Sequence, residues 1–124
     1  MAEAEKRARR GRQAHFIGLM AEDAVARWYE RRDGAIEARR WRAPEGEIDL
    51  VVRTPEALVF VEVKAGAGAT RRDCVSERQW RRLERAALRY SVETETGETP
   101  LRFDAAFLGP DGAVAVVENA RGFD

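Results

Sequence analysis

The stretch that decides the fold runs from Gly46 to Lys64 and reads GEIDLVVRTPEALVFVEVK. Two apolar runs flank a short polar turn, a pattern that predicts a β-hairpin. Each run also carries an acid where a buried strand favours Val or Ile: Asp49 in the first run and Glu62 in the second. Because a buried charge is costly unless it is paired or binds a metal, these acids indicate a functional site.

The register of the hairpin predicts which charged residues meet. We expect the turn to pair Arg53 with Leu58. Counting four residues away from the turn along each strand then places Asp49 opposite Glu62, with Lys64 next along the same face. Two carboxylates facing each other across a ladder lie about 5 Å apart at Cβ. At an effective dielectric constant near 20 they repel each other by on the order of 3 kcal/mol, so a positive group must offset them.

Two interpretations of these charges remain open. In the first, Asp49 and Glu62 bind Mg²⁺, which often takes one or two carboxylates together with water and substrate phosphate. Lys64 would then orient or deprotonate an attacking water. In the second, the charges form an ion-pair network, in which Asp49 binds an arginine and Glu62 binds Lys64. The same register places Glu47 opposite Lys64.

The composition predicts one small domain. The chain has 124 residues with 22 basic and 22 acidic side chains, and its lone cysteine, Cys74, excludes an intrachain disulfide. A chain of this length buries roughly two-thirds of its unfolded surface, so it needs no structural metal to fold. The N-terminus lacks the apolar core of a secretory signal, and no apolar run approaches the roughly 18 residues of a membrane span. We expect a cytoplasmic protein without membrane contact.

Charge is unevenly distributed along the chain. Residues 1–42 hold 11 basic and 7 acidic groups, and residues 71–90 hold 7 basic and 3 acidic groups. Residues 43–70, which contain the hairpin, hold 2 basic and 5 acidic groups. An acidic centre between two basic segments suits a metal site beside a bound polyanion, although ordinary solvated surface charge gives the same counts.

The remaining periodicity predicts an α/β domain. Residues 1–13 are expected to form a flexible basic tail, and residues 14–124 a single domain. Within it we expect helices at 14–32 and 76–90, and strands at 35–42, 47–53, 57–64, 101–108 and 113–118. This order, αβββαββ, predicts a mixed sheet flanked by helices. Glu22 lies at the edge of the apolar stripe of the first helix, from where it could reach Asp49 and Glu62; a surface acid is the alternative.

Several motifs together resemble a known family. An acid on one strand followed by Glu-x-Lys on the next resembles the signature of the PD-(D/E)XK nucleases. The whole layout resembles the YraN family of small bacterial proteins, which are similar to archaeal Holliday-junction resolvases. The matching segments are AEDAVARWYERRDG (21–34), RWR (40–42), GEIDLV (46–51), LVFVEVK (58–64), RQWRRLERAALRY (78–90) and RFD (102–104).

The resemblance implies a restriction-endonuclease-like αβββαβ core and a metal-dependent endonuclease. The implied catalytic cluster is Glu22, Asp49, Glu62 and Lys64, with the three acids holding Mg²⁺ or Mn²⁺. The implied substrate is DNA, branched or damaged DNA included, and cutting both strands of a branched substrate would normally need a symmetric homodimer. The alternative is a non-catalytic nucleic-acid-binding or partner-recruiting module on a nuclease-like fold.

The second helix carries a stripe of arginines at positions 78, 81, 82, 85 and 89. We expect Arg78 and Arg82, with Arg72 from the preceding loop, to contact the DNA backbone; a solvated arginine face is the alternative. Two residues depart from the family pattern. Arg40 stands where the family often has Asn, and Gly66 stands where it often has a basic residue.

Overall fold

The computed structural model describes residues 2–66 and 75–121. Its elements are α1 Glu3–Glu30, β1 Ala35–Ala43, β2 Gly46–Arg53, β3 Leu58–Ala65, α2 Glu77–Glu93, β4 Leu101–Leu108 and β5 Val114–Val117. The sheet has five strands in the order of the chain, β1-β2-β3-β4-β5. Among the described strands, only β3 and β4 are parallel neighbours, and α2 forms the crossover that such a pair requires. The predicted mixed sheet with an αβββαβ core is therefore confirmed, with β5 added at the edge.

The two helices cover opposite faces of the sheet. Successive residues of a buried strand point to opposite sides, so the strands supply side chains to a core under each helix. The core on the α1 side contains Val25, Ala26, Tyr29, Leu50, Val52, Ala57, Val59, Val61 and Ala106. The core on the α2 side is larger and includes Ile48, Val51, Leu58, Phe60, Trp80, Leu83, Ala87, Tyr90, Phe103 and Phe107. Strand β3 contributes to both cores, which explains its continuous apolar run, LVFV.

The first helix begins earlier than predicted. We expected a tail at residues 1–13 and a helix from Ala14, but α1 starts at Glu3. The Ala, Glu, Lys, Arg and Gln residues that fill this segment have high intrinsic helix propensity. Glu3 and Glu5 in the first turn also interact favourably with the helix dipole. Gly18 apart, residues 3–20 are exposed. This part of α1 therefore lies outside the core, which is why no apolar stripe marks its start. In the described part of the chain, neither helix has the length and apolar character needed to cross a membrane.

The pairing of β2 with β3 follows the predicted register and then stops. Leu58 lies opposite Arg53, and the antiparallel pairs continue in this register as far as Leu50. Beyond that point β3 remains paired with β4 over the full length of both strands. Asp49 and Glu62 are the first residues after the last β2–β3 pair, so the two acids flank the place where the strands separate.

Side-chain alternation in β2 breaks at the same place. Ile48 and Val51 both pack into the core on the α2 side, although they are three residues apart. A regular strand would put residues with odd spacing on opposite faces. Asp49 therefore lies next to a reversal of the strand, which puts the side chain of Glu47, two residues before it, on the face opposite the one predicted.

Strand β1 contains the matching reversal. Ala38 and Trp41 both pack against the α2-side core, again three residues apart. Between them Arg40 has a φ of 48°, in the left-handed region that non-glycine residues rarely adopt. The neighbouring pairs of β1 with β2 place Arg40 opposite Asp49. The two strands thus reverse together, and both residues at the reversal carry charge.

Candidate metal centre

Three carboxylates converge where β2 separates from β3. One oxygen from each of Glu22, Glu47 and Asp49 lies within 4.8 Å of the others. Glu22 is buried, Asp49 is partly buried and Glu47 is exposed, so the group reaches from the interior to the surface. Glu22 and Asp49 were predicted from the sequence. Glu47 was expected opposite Lys64, and the reversal of β2 brings it to this group instead.

The backbone of β3 holds the Asp49 carboxylate in place. The Val63 N–H donates a hydrogen bond of 2.8 Å to Asp49 Oδ2. The side chain thus satisfies a donor of β3 at the point where β2 no longer pairs with it. Burial, followed by the negative charge of Glu62, raises the pKa of Asp49 to about 7. The hydrogen bond favours the ionised form but does not offset these two effects.

Glu62 and Lys64 lie beside the three-acid group. Lys64 Nζ is 3.4 Å from Glu62 Oε1, and both side chains are partly buried. Burial raises the pKa of Glu62, although the positive charge of Lys64 acts in the opposite direction. The expected metal set of Glu22, Asp49 and Glu62 is therefore only partly reproduced: among the described residues, the tight group contains Glu47 in place of Glu62.

A cleft of about 240 Å³ opens at these acids. It is lined by Gly46, Glu47, Asp49, Glu62, Gln79, Arg82 and Leu83. The start of α2 is fixed there by a capping box, in which Gln79 Oε1 accepts a hydrogen bond of 2.9 Å from the Ser76 N–H. The cap positions Arg82, one turn further along α2, as a cation at the wall of the cleft.

Arg40 provides a second cation at this site. The sequence marked it only as a departure from the family pattern. Its Nε donates a hydrogen bond of 2.8 Å to Glu22 Oε1. Glu47 and Asp49 act on the same guanidinium, and together with Glu22 they raise the pKa of Arg40. Arg40 therefore lies over the three-acid group.

This donor set fits a hard divalent cation. Mg²⁺ and Mn²⁺ favour carboxylate oxygens, and three of them are brought together from two different elements. Burial is the main cause of the raised pKa values of Asp49 and Glu62, and the negative charge of Glu62 adds to the rise at Asp49. A further positive charge would stabilise the ionised cluster.

A basic groove continues from the cleft along α2. It has a volume of about 680 Å³ and is lined by Pro44, Glu45, Glu77, Arg78, Arg81, Arg82 and Arg85. Arg82 lines both cavities, so the cleft and the groove are adjacent. Two arginines of the predicted stripe are neutralised: Arg81 by Glu77 and Arg89 by Glu45.

The other three arginines of the stripe differ from these two. Arg78, Arg82 and Arg85 are exposed, and none forms an ion pair with another residue of the described ranges. Arg78 and Arg82 were predicted to contact the DNA backbone, and Arg85 joins them from the same face of α2. Arg72, the third predicted contact, lies outside the described residues.

The sequence matches a known family over most of its length. The profile described as "Uncharacterised protein family UPF0102" matches residues 21–108, a range that includes every predicted site residue. The chain belongs to the UPF0102 family. UPF0102 is the YraN family, so the family predicted from the motifs is confirmed.

Relatives in the UPF0102 family cover nearly the whole chain. A UPF0102 protein of Ruegeria pomeroyi is 43% identical over 117 residues, which are 93% of this chain and 95% of the relative. One from Cereibacter sphaeroides strain ATCC 17025 is 41% identical over 114 residues, covering 89% and 96%. One from Dinoroseobacter shibae is 37% identical over 118 residues, covering 94% and 88%. The UPF0102 name carries no activity, so function is argued from the site.

Proposed function

We propose that this UPF0102 protein is a divalent-metal-dependent endonuclease that hydrolyses DNA phosphodiester bonds. The observation that carries the proposal is the convergence of Glu22, Glu47 and Asp49 beside the Glu62–Lys64 pair. The basic groove along α2 lies next to this site, and Arg82 lines both. Acids for a metal and arginines for a polyanion therefore lie side by side, as phosphodiester hydrolysis requires.

Each group has a role that its position supports. Glu22, Asp49 and Glu62 would hold Mg²⁺ or Mn²⁺, and Glu47 would join them from the solvent side. When bound, the metal would supply Lewis-acid stabilisation of the phosphate and a lower pKa for a water molecule. Lys64, whose Nζ is held by Glu62, would position the attacking water or stabilise the charge that develops on the phosphate.

The groove indicates how DNA would be bound. Arg78, Arg82 and Arg85 would contact successive phosphates, and such contacts fix position on the nucleic acid without reading its sequence. We therefore propose a substrate recognised by its backbone, branched or damaged DNA included. Symmetric cutting of both strands would use a homodimer with two copies of the site.

A cleavage assay tests the proposal. End-labelled four-way junctions and linear duplexes are incubated with Mg²⁺ or Mn²⁺ and with wild type, Asp49→Asn or Lys64→Ala. We expect each substitution to reduce the cleavage rate by roughly 100-fold or more, the usual effect of removing a group that stabilises transition-state charge.

Asp23→Asn is the matched control for this assay. Asp23 follows Glu22 on α1 but forms an ion pair with Arg27 at 2.8 Å, with 43% of its side chain exposed, and so lies outside the acid cluster. We expect this variant to cleave like wild type. Cleavage that both site variants retain would contradict the assignment of the site.

A second candidate is a non-catalytic nucleic-acid-binding or partner-recruiting module. It is favoured by the fact that two of the acids already have cations, Glu22 with Arg40 and Glu62 with Lys64. This candidate predicts DNA binding that weakens steeply with salt, no cleavage, and no uptake of Mn²⁺ in calorimetry. In either case Arg82→Gln should lower the slope of log affinity against log salt by about 1.

A further inference from the structure

Arg40 is held in an unfavourable backbone conformation inside β1, at the reversal of that strand. Its φ is 48°, although Arg39 and Trp41 on either side of it are both paired with β2. A non-glycine residue persists in such a conformation only where its surroundings determine it, and such residues concentrate at functional sites. What the conformation achieves at this position is the placement of one side chain.

That side chain reaches the acid cluster from β1. Arg40 Nε donates to Glu22 Oε1 at 2.8 Å, and 28% of the Arg40 side chain is exposed against 9% of that of Glu22. The guanidinium also lies against α1 at Gly18, where an added Cβ would be 3.5 Å from a terminal nitrogen of Arg40. The position is therefore enclosed by α1 on one side and by carboxylates on the other.

From this arrangement we infer that Arg40 is the resident counter-ion of the Glu22–Glu47–Asp49 cluster, and that a divalent metal displaces its guanidinium when it binds. The inference rests on the proposed metal site. Three carboxylates with oxygens within 4.8 Å of one another repel when ionised. Arg40 relieves this repulsion and, in doing so, occupies an oxygen of the buried acid that a metal would bind. A metal ion and the guanidinium bound to the same carboxylate would repel each other, so metal binding would displace the guanidinium.

Metal affinity measured by calorimetry tests the inference directly. Mn²⁺ is titrated into wild type, Arg40→Gln and Arg42→Gln. Without a competing cation, Arg40→Gln should bind Mn²⁺ roughly tenfold more tightly than wild type, as expected for removing a unit charge close to a dication. Arg42 is the matched control, since it lies on the same strand and pairs with Glu47 at 3.3 Å, but 80% of its side chain is exposed. Arg42→Gln should bind Mn²⁺ within about twofold of wild type, because solvent screens its charge.

Thermal unfolding gives a second readout that does not depend on activity. In EDTA, Arg40→Gln should melt below wild type, because the acids have lost their counter-ion. Saturating Mn²⁺ should raise the melting temperature of the variant by more than that of wild type, since tighter binding to the folded state gives more stabilisation. Arg40→Lys, which keeps the charge but not the planar fork, should remain within about threefold of the wild-type Mn²⁺ affinity.

The possible failures are distinguishable. Equal or weaker Mn²⁺ binding by Arg40→Gln would overturn the inference and leave the proposed metal site in place. An absence of Mn²⁺ uptake by wild type and by both Arg40 variants would overturn the metal site and the inference together. If Arg40→Gln does not fold, Arg40→Lys still tests the inference. A tenfold change in its Mn²⁺ affinity, with the positive charge kept, would overturn the role of that charge.

Discussion

Asp104 on β4 and Asp49 on β2 are both acids within the sheet, but their surroundings differ. Asp104 is 0% exposed. It accepts hydrogen bonds from the Tyr29 hydroxyl at 2.6 Å, from two nitrogens of Arg102 at 2.9 Å each, and from the Asn119 N–H at 2.9 Å. Asp49 is less deeply buried, its hydrogen bond comes from one backbone N–H, and acidic groups surround it.

The difference separates an acid with donors from several elements from one that lies in an acidic cluster. The donors around Asp104 come from α1, β4 and the segment after β5, so its charge ties three parts of the chain together. Around Asp49 the donors are fewer, and burial, followed by the negative charge of Glu62, raises its pKa to about 7. Burial alone therefore does not identify a site in this protein, since the more deeply buried acid is the structural one. The number of donors that an acid has gathered is the better criterion.

Removal of the Asp104 carboxylate tests the structural half of this comparison, and it should have the largest effect. We expect Asp104→Ala to lower the free energy of unfolding by about 3–5 kcal/mol, because it leaves Arg102 and the Tyr29 hydroxyl without their buried partner. Urea denaturation followed by circular dichroism measures this. Asp111→Ala, at an exposed turn before β5, is the control and should cost less than about 1 kcal/mol. A similar loss for both variants would mean that Asp104 does not tie the elements together.

Removal of a single donor should have an intermediate effect. Tyr29→Phe keeps the buried ring and deletes only the hydroxyl that donates to Asp104. We expect a loss of about 2 kcal/mol in urea denaturation, as for a hydrogen bond to a charged group. Tyr90→Phe provides the comparison, since its hydroxyl donates to Glu37 at 2.7 Å in a partly exposed position. A larger loss at Tyr90 than at Tyr29 would contradict the importance given to the Asp104 network.

The smallest expected effect is a gain in the free energy of unfolding, where the two variants above lose stability. In EDTA at pH 8, we expect Asp49→Asn to raise the free energy of unfolding by about 1 kcal/mol, because it removes an uncompensated charge from the cluster. The pKa of Asp49 is raised from 3.8 to about 7, so the folded state holds this proton more tightly than the unfolded state. Stability is therefore lost as the pH rises from about 4 through about 7.

The variant lacks this titration, so its advantage should shrink towards zero between pH 8 and pH 4.5. Urea denaturation at both pH values measures the change. A variant that is less stable than wild type at pH 8 would show that Asp49 is compensated like Asp104, and the contrast between the two acids would fail.

Much of the fold could be predicted because it depends on local patterns. The two apolar runs and the turn between them determined the β2–β3 register from Arg53 as far as Leu50. The periods of the other segments gave the order of strands and helices. Asp49 stood out because an acid within an apolar run is conspicuous, whereas Glu22, at the edge of its helical stripe, was assigned to the cluster by the family resemblance. The start of α1 was missed because helix propensity, and not an apolar stripe, extends that helix to Glu3.

The composition of the cluster could not be predicted, for a physical reason. Regular alternation puts Glu47 on the same face as Asp49, and only the reversal between Asp49 and Ile48 brings Glu47 to Glu22. The break on β2 lies beside Arg40, which has a left-handed conformation on the neighbouring strand. No local pattern favours this conformation for an arginine. It arises from tertiary contacts, which periodicity along one strand does not contain.

Strands β2 and β3 separate at Asp49 and Glu62, whereas β3 remains paired with β4. Glu62 and Lys64 lie on β3, which β4 holds to its end. Glu47 and Asp49 lie on β2, which is paired with β1 around these residues but has no ladder bond to β3 there. Substitutions at these positions therefore leave the β3–β4 pairs and the β2–β3 pairs from Leu50 to Arg53 in place.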